Sequence, residues 1–299
     1  MPGNFREIRR RIKGVKNTKQ ITKTMEMVAA SKMRRAQALA VQMRPYAEKA
    51  LEILNSFMGK TRSVAHPLLK SREVKHTTVI LVTSDRGLCG GLNTNVINRA
   101  LENILPLPKD SISFVTLGKK GRDAMMRLGY KVEADFSGLK QYEYADVAPL
   151  ISLVLSNYIQ AKTDRVVLAY PRYISTLNQK PSLRPLLPLA KENLQAVLEE
   201  ISGVTSERGP TYRYFEYKFE PDIKGVLSAL LPKFIEMQIY KAVLDEQASE
   251  HSARMAAMRN ATDAAGEIID SLTFTYNQVR QAEITSEIAE ISTAAEVLR

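Results

Sequence analysis

A single cysteine, Cys89, stands in 299 residues, so the chain can close no disulfide within itself, which fits a reducing compartment. Histidine is almost as scarce. His66, His76 and His251 are scattered and adjoin no cysteine pair, so the spacing of a zinc site is missing. No run approaches the roughly 18 apolar residues that a membrane-spanning helix needs, and no span is expected. The N-terminal stretch has no apolar core of the secretory kind, so export by that route is not expected either. Proline and glycine are thinnest near the C-terminus: between Phe234 and Ala295 there is no Pro and one Gly, Gly266. Nothing there obliges the chain to turn.

What fills that stretch is a helical stripe: Ile239, Val243, Met255, Met258, Ala265, Ile268, Leu272, Thr275, Val279, Ala282. At ~1.5 Å per residue it predicts a rod roughly 93 Å long, where an ordinary helix has only ~11–12 residues. Pro232 removes one backbone bond, so a kink or a restart is expected there. A stripe this long needs a partner of matching length. From Phe5 to Met58 the interruptions are Gly14 and Pro45, and the stripe reads Ile8, Ile12, Val15, Thr18, Thr22, Met25, Ala29, Met33, Ala36, Ala40, Met43, Ala47, Leu51, Leu54, Met58. Steps of three and four are the seam of a coiled coil. Charge supports pairing the ends. Residues 1–50 hold 13 Lys/Arg against 3 Asp/Glu, and residues 224–299 hold 7 against 11. The expected arrangement is an antiparallel coiled coil of the two terminal helices.

The middle has another character. Thr78–Thr83, Ile112–Leu117 and Arg165–Tyr170 are short β-branched apolar runs. Helical segments lie between them, at Thr94–Leu105, Lys119–Leu128 and Ala145–Ala161. That alternation predicts a parallel or mixed α/β sheet. Pro181–Pro188 suits an edge strand. Lys191–Glu200 reads as a polar helix, Gly203–Pro210 as a surface loop and Thr211–Phe219 as a further strand, with Asp222 as N-cap of the last helix. The fold class is therefore α/β: a Rossmann-like domain inserted into a long antiparallel coiled coil. Its parts are an N-terminal helix (1–60), an α/β foot (61–220) and a C-terminal helix (221–299).

Catalytic chemistry finds little support. The loop Ser84-Asp85-Arg86-Gly87-Leu88-Cys89-Gly90-Gly91 follows a strand and precedes a helix, where phosphate could sit. It lacks both the GxGxxG spacing and a Gly-Lys-Ser/Thr ending, and Asp85 repels phosphate. Cys89 has no His or Asp partner placed by the sequence. No catalytic residue, cofactor site or metal site is predicted. The formal charge of +11 sits mostly on the first helix, through Arg6, Arg9, Arg10, Arg11, Lys13, Lys16, Lys19 and Lys23. These cations could track nucleic acid, lie on anionic lipid or meet an acidic protein surface. Aromatics for base stacking are not interleaved with them, which disfavours nucleic acid.

Three blocks resemble one family throughout. They are REIRRRIKGVKNTKQITKTMEMVAASKMRRAQA (Arg6–Ala38), TSDRGLCGGLNTN (Thr83–Asn95), and the pair RMAAMRNATDAAGEIIDSL (Arg254–Leu272) and YNQVRQAEITSEIAEI (Tyr276–Ile291). The chain resembles the gamma subunit of F-type ATP synthase, most weakly over Lys191–Gly209, where it carries extra residues. The resemblance implies a non-catalytic rotor shaft inside the alpha3-beta3 catalytic ring, with its foot beside the epsilon subunit and the c-ring. It would be peripheral, on the cytoplasmic face of the bacterial plasma membrane, touching the membrane only through the complex and binding no nucleic acid. Ion flow through the c-ring would turn the shaft and drive ATP synthesis, or hydrolysis in reverse. Arg280 and Gln281 match the family's catch-loop contact, and Met25, with Lys23 and Glu26 beside it, its coupling segment. Asp85, Arg86, Gly87 and Cys89 are expected to form a foot-loop contact, and Ile288, Ile291, Val297 and Leu298 an apolar bearing tip. A basic coiled-coil nucleic-acid binder and a small α/β enzyme using the Gly87–Gly91 loop are the alternatives. Salt-dependent DNA affinity or nucleotide binding by the purified chain would reveal them.

Overall fold

A computed structural model describes residues 3–60, 66–139, 143–189 and 223–297. In chain order the elements are α1 (Gly3–Lys60), β1 (Thr77–Val82), α2 (Leu92–Ile104), β2 (Ile112–Leu117), α3 (Lys119–Arg127), β3 (Lys131–Asp135), α4 (Tyr144–Ile159), β4 (Arg165–Tyr173), β5 (Gln179–Leu187) and α5 (Ile223–Val297). The expected helix Lys191–Glu200, loop Gly203–Pro210, strand Thr211–Phe219 and cap Asp222 lie outside the described residues. The chain divides into two compact units, Met1–Ser31 with Arg254–Arg299, and Lys32–Ala253.

In the first unit two helices run antiparallel. The Phe5 and Tyr276 rings stack with centroids 4.5 Å apart. Lys19 Nζ occupies the notch over Gly266, where an added Cβ would meet it at 3.0 Å. Thr262 Oγ1 lies 2.8 Å from Thr22 Oγ1. As residue numbers rise on α1 they fall on α5, which is the register that opposing directions require. Ile8, Thr22 and Ala29 are buried from one side, Met258, Thr262 and Ala265 from the other.

Beyond Ala265 the expected α5 stripe holds at Leu272 and Val279 and falls one residue early at its other positions. Ile268, Thr275 and Ala282 are exposed, while Ile269, Leu272, Tyr276, Val279 and Glu283 are half-buried. Those positions, with Met258, Thr262 and Ala265, alternate steps of four and three, the strict heptad phase that keeps one seam toward a partner. Ile268 and Ile269 are equally apolar, so periodicity in this helix alone does not choose between them. The helix does not restart at Pro232, since α5 runs unbroken from Ile223 through it. Pro232 is half-buried beside Leu231, Phe234 and Ile235, which are buried in the apolar core. Packing of that face outweighs the lost backbone bond.

The second unit is built on a five-stranded sheet in the order β3-β2-β1-β4-β5. β1 pairs in parallel with β2 and β4, and β2 with β3. β5 returns antiparallel to β4. The β-branched run of β1 is buried on both faces, as a central parallel strand must be. Val79 and Leu81 face α2 and α3 through Val96, Ala100, Ile104 and Met125. Ile80 and Val82 face the other way, with Leu150, Val154 and Tyr158 of α4 and Leu231, Ile235 and Ile239 of α5. Edges are blunted differently. β5 carries Pro181 and Pro185, and β3 alternates exposed Lys131, Glu133 and Asp135 with half-buried Val132 and Ala134.

Candidate functional site

Three surfaces carry the residues singled out from the sequence. On α1, Lys23 Nζ pairs with Glu26 Oε2 at 3.0 Å, with side chains 56% and 16% exposed. One turn apart on the same helix face, they hold each other at the seam's edge. Met25 is half-buried and lines a groove of about 480 Å³ with Asn17, Gln20, Ile21 and Thr24. Ile21, which lines the groove, and Val28, seven residues on, are both exposed on one helix face. Sequence reasoning passed over Ile21 and Val28 because they fall outside the main stripe. Their own seven-residue spacing was the available signal.

Arg280 and Gln281 are exposed on α5. The Phe5–Tyr276 stack puts them about one turn beyond Phe5, whereas Thr262 lies level with Thr22. From Thr262 to Arg280 is therefore roughly 27 Å along the axis, and the two surfaces are separate stretches of one coil. Ile288 and Ile291 are 59% and 69% exposed, and with Ile284 they make an apolar row at steps of four and three. Val297 is the last residue of α5. Leu298 lies outside the described residues.

The third surface is the loop after β1, at the carboxyl ends of the parallel strands. Asp85 reaches across the loop, its carboxylate accepting the backbone N–H of Lys119 at 3.0 Å and of Gly138 at 3.0 Å. The amides that would hold an anion at the start of α3 are thus already engaged. Lys119 N–H is on Asp85, Lys120 N–H on Ser84 O at 3.2 Å, and Gly121 N–H on Thr83 Oγ1 at 2.8 Å. Gly118 permits the approach: with φ +103, an added Cβ would stand 1.8 Å from the Thr83 carbonyl oxygen. The carboxylate read from sequence as repelling phosphate instead engages the first amide of α3.

Asn93, the first helical turn of α2, holds the loop from the other side. Its Oδ1 accepts from Ser84 N–H at 3.0 Å, and its Nδ2 donates to Ser84 Oγ at 2.7 Å and to Cys89 Sγ at 3.3 Å. Cys89 is buried against Arg86 O, while Leu88 between them is exposed at φ 65. The ordered turn therefore presents Arg86 and Leu88 outward and Cys89 inward, with Gly87 between them half-buried. Nearby, Arg122 bonds Asp123 and Asp135, which hold its guanidinium charged and push its pKa above the usual value. Among the described residues no group of three His, Cys, Asp or Glu is placed to hold a metal, and no helix is long and apolar enough to cross a membrane.

A family model described as ATP synthase matches residues 4–298. The ATP synthase gamma chain of Heliobacterium modesticaldum is 42% identical over 299 residues, covering all of both chains. The chain belongs to the ATP synthase gamma-chain family. The gamma chain of Nitrosomonas europaea is 42% identical over 295 residues, with 97% of this chain and 98% of that one covered. Among solved structures, a chain of the Euglena gracilis mitochondrial ATP synthase OSCP/F1/c-ring assembly superposes with a TM-score of 0.67 at 22% identity, covering 100% of this chain and 95% of that chain. A chain of the rotor of the same enzyme superposes with a TM-score of 0.63 at 23% identity, covering 95% and 100%. At that identity the likeness is one of fold. It joins two paired terminal helices and a five-stranded α/β sheet in one architecture.

Proposed function

We infer that this chain is the central rotor shaft of an F-type ATP synthase. It couples ion flow through the c-ring to ATP synthesis and hydrolysis at the catalytic beta subunits, and is itself non-catalytic. The observation that carries this is identity of 42% across the whole of both chains with a gamma chain. Two long antiparallel helices supply what a shaft needs, a length of regular hydrogen-bonded backbone and a seam that resists unwinding. The shaft helices are 1–60 and 221–299, and the α/β foot is 61–220.

Arg280 and Gln281 grip a catalytic subunit, and Met25, with the Lys23–Glu26 pair, meets another part of the alpha3-beta3 ring. Asp85, Arg86, Gly87 and Cys89 shape the contact loop of the foot, which stands beside the epsilon subunit and the c-ring. Ile288, Ile291, Val297 and Leu298 form an apolar tip that turns with few directional bonds. The chain is peripheral, on the cytoplasmic face of a bacterial plasma membrane. Affinity capture of the tagged chain from detergent-solubilised membranes should bring down the catalytic subunits and the c-ring together, with ATPase activity. Capture of nucleic acid without those subunits would support the basic coiled-coil alternative instead.

A further inference from the structure

The hairpin that joins β4 to β5 is fastened to both long helices by bonds that packing alone does not require. Ser249 and Ser252 lie three apart on one face of α5, and both side chains are fully buried. A buried hydroxyl needs an acceptor, and a helical serine can bond the carbonyl of its own previous turn. Both reach out of the helix instead. Ser249 Oγ donates to Pro171 O at 3.1 Å and Ser252 Oγ to Thr176 O at 2.6 Å. Pro171 lies past Ala169, where the β1–β4 pairing ends, so β1 offers its carbonyl no donor. Ser249 supplies the missing donor.

Gln179 locks the same corner. Its Nε2 donates to Ser175 O at 3.1 Å, Thr176 O at 2.9 Å and Ser252 Oγ at 3.4 Å. The turn closes on itself through Asn178 N–H to Ser175 O at 3.1 Å and Ile174 N–H to Asn178 O at 3.2 Å. From the other helix, Gln37 of α1 donates its Nε2 to the Tyr173 hydroxyl.

The sheet also meets α5 through hydrocarbon, from Leu227 to Val243. Apolar burial resists separation but has no direction, so it opposes rotation about a helix axis weakly. Hydrogen bonds depend on angle and oppose it. We propose that the β4–β5 hairpin is the clamp through which the α/β foot transmits torque to both shaft helices, with Ser249, Ser252, Tyr173 and Gln37 as positioning residues. This deepens the rotor reading and rests on it.

The test uses the complete reassembled complex with the catalytic ring fixed to a surface and a bead on the foot. Ser249→Ala with Ser252→Ala removes the three bonds that join Ser249 and Ser252 to the hairpin. With the complex stalled, the bead's angular distribution should broaden, with torsional stiffness falling about twofold. ATP hydrolysis without load should stay near the unaltered rate, while ion-driven synthesis, which works against load, should fall. Tyr173→Phe deletes only the hydroxyl bonded by Gln37 and should soften the complex by a smaller amount. Unchanged stiffness and unchanged synthesis in the serine variant would overturn the clamp. Should that variant fail to fold, unchanged stiffness in Tyr173→Phe would overturn it equally. Failure of the unaltered chain to rotate at all would instead overturn the rotor reading, so the two failures are distinguishable.

Discussion

At the scale of single residues, the clearest contrast is between side chains that hold the fold and side chains left facing outward. Gly118 belongs to the first kind. A methyl there would press on the Thr83 carbonyl at 1.8 Å in a backbone conformation that L-residues avoid. Gly118→Ala should therefore destabilise the chain by more than about 2 kcal/mol, read as a fall in thermal midpoint. An unchanged midpoint would mean that the β2–α3 turn is held otherwise. Arg280 and Gln281 belong to the second kind. Replacing both with alanine should change chain stability by less than about 0.5 kcal/mol, because neither is packed. If they grip a catalytic subunit, each charged hydrogen bond lost costs about 1.5–3 kcal/mol, so turnover of the assembled complex should fall several-fold. Unchanged turnover, measured as ATP hydrolysis and ion-driven synthesis, would leave Arg280 a solvated charge.

At the scale of elements, the antiparallel pairing is tied at three heights, by Phe5 with Tyr276, Lys19 with Gly266 and Thr22 with Thr262. Cysteines introduced at Thr22 and Thr262 should oxidise to a disulfide, as should a pair at Ile8 and Tyr276. Pairs in parallel register, such as Ile8 with Met258, should not. Cross-linking of the parallel pairs alone would contradict the architecture. Much of this was legible from residues 5–43 and 239–282, because long periodic stripes with few breakers leave one geometry open. The phase of the lower α5 seam was not, because Ile268 and Ile269 are equally apolar and only the partner's position chooses between them.

The middle strands β1, β2 and β4 were legible as β-branched runs bounded by turns. Strand β3 was missed, since Lys131-Val132-Glu133-Ala134-Asp135 offers just two small apolar side chains. Its alternation was the signal, that of an edge strand with one face in contact. The foot loop was legible as an ordered turn after a strand. What the turn does with Asp85 was not, because the Gly138 amide it bonds lies 53 residues on. Ser249 and Ser252 went unnoticed for a related reason: their partners lie in a hairpin more than 70 residues earlier.

At the scale of the molecule, the chain is one that carries force rather than one that carries out a reaction. The α3 amides that could hold a phosphate are bonded to Asp85, Ser84 and Thr83. Equilibrium dialysis of the purified chain against micromolar ATP should accordingly show no stoichiometric binding, and stoichiometric binding would support the α/β enzyme alternative. The basic character of α1, with 13 Lys/Arg against 3 Asp/Glu in residues 1–50, suits an acidic surrounding surface and faster, salt-sensitive assembly. Assembly with the catalytic subunits should slow as ionic strength rises, because exposed charges more than ~8–10 Å apart are screened at physiological salt. The central claim is that the foot turns while the catalytic ring stands still. A bead fixed through a cysteine placed at exposed Glu73, on a complex anchored by its catalytic ring, reports this directly by video microscopy during ATP hydrolysis. The account predicts sustained rotation in one direction that stops when ATP is removed. Full hydrolysis with a stationary bead would contradict it.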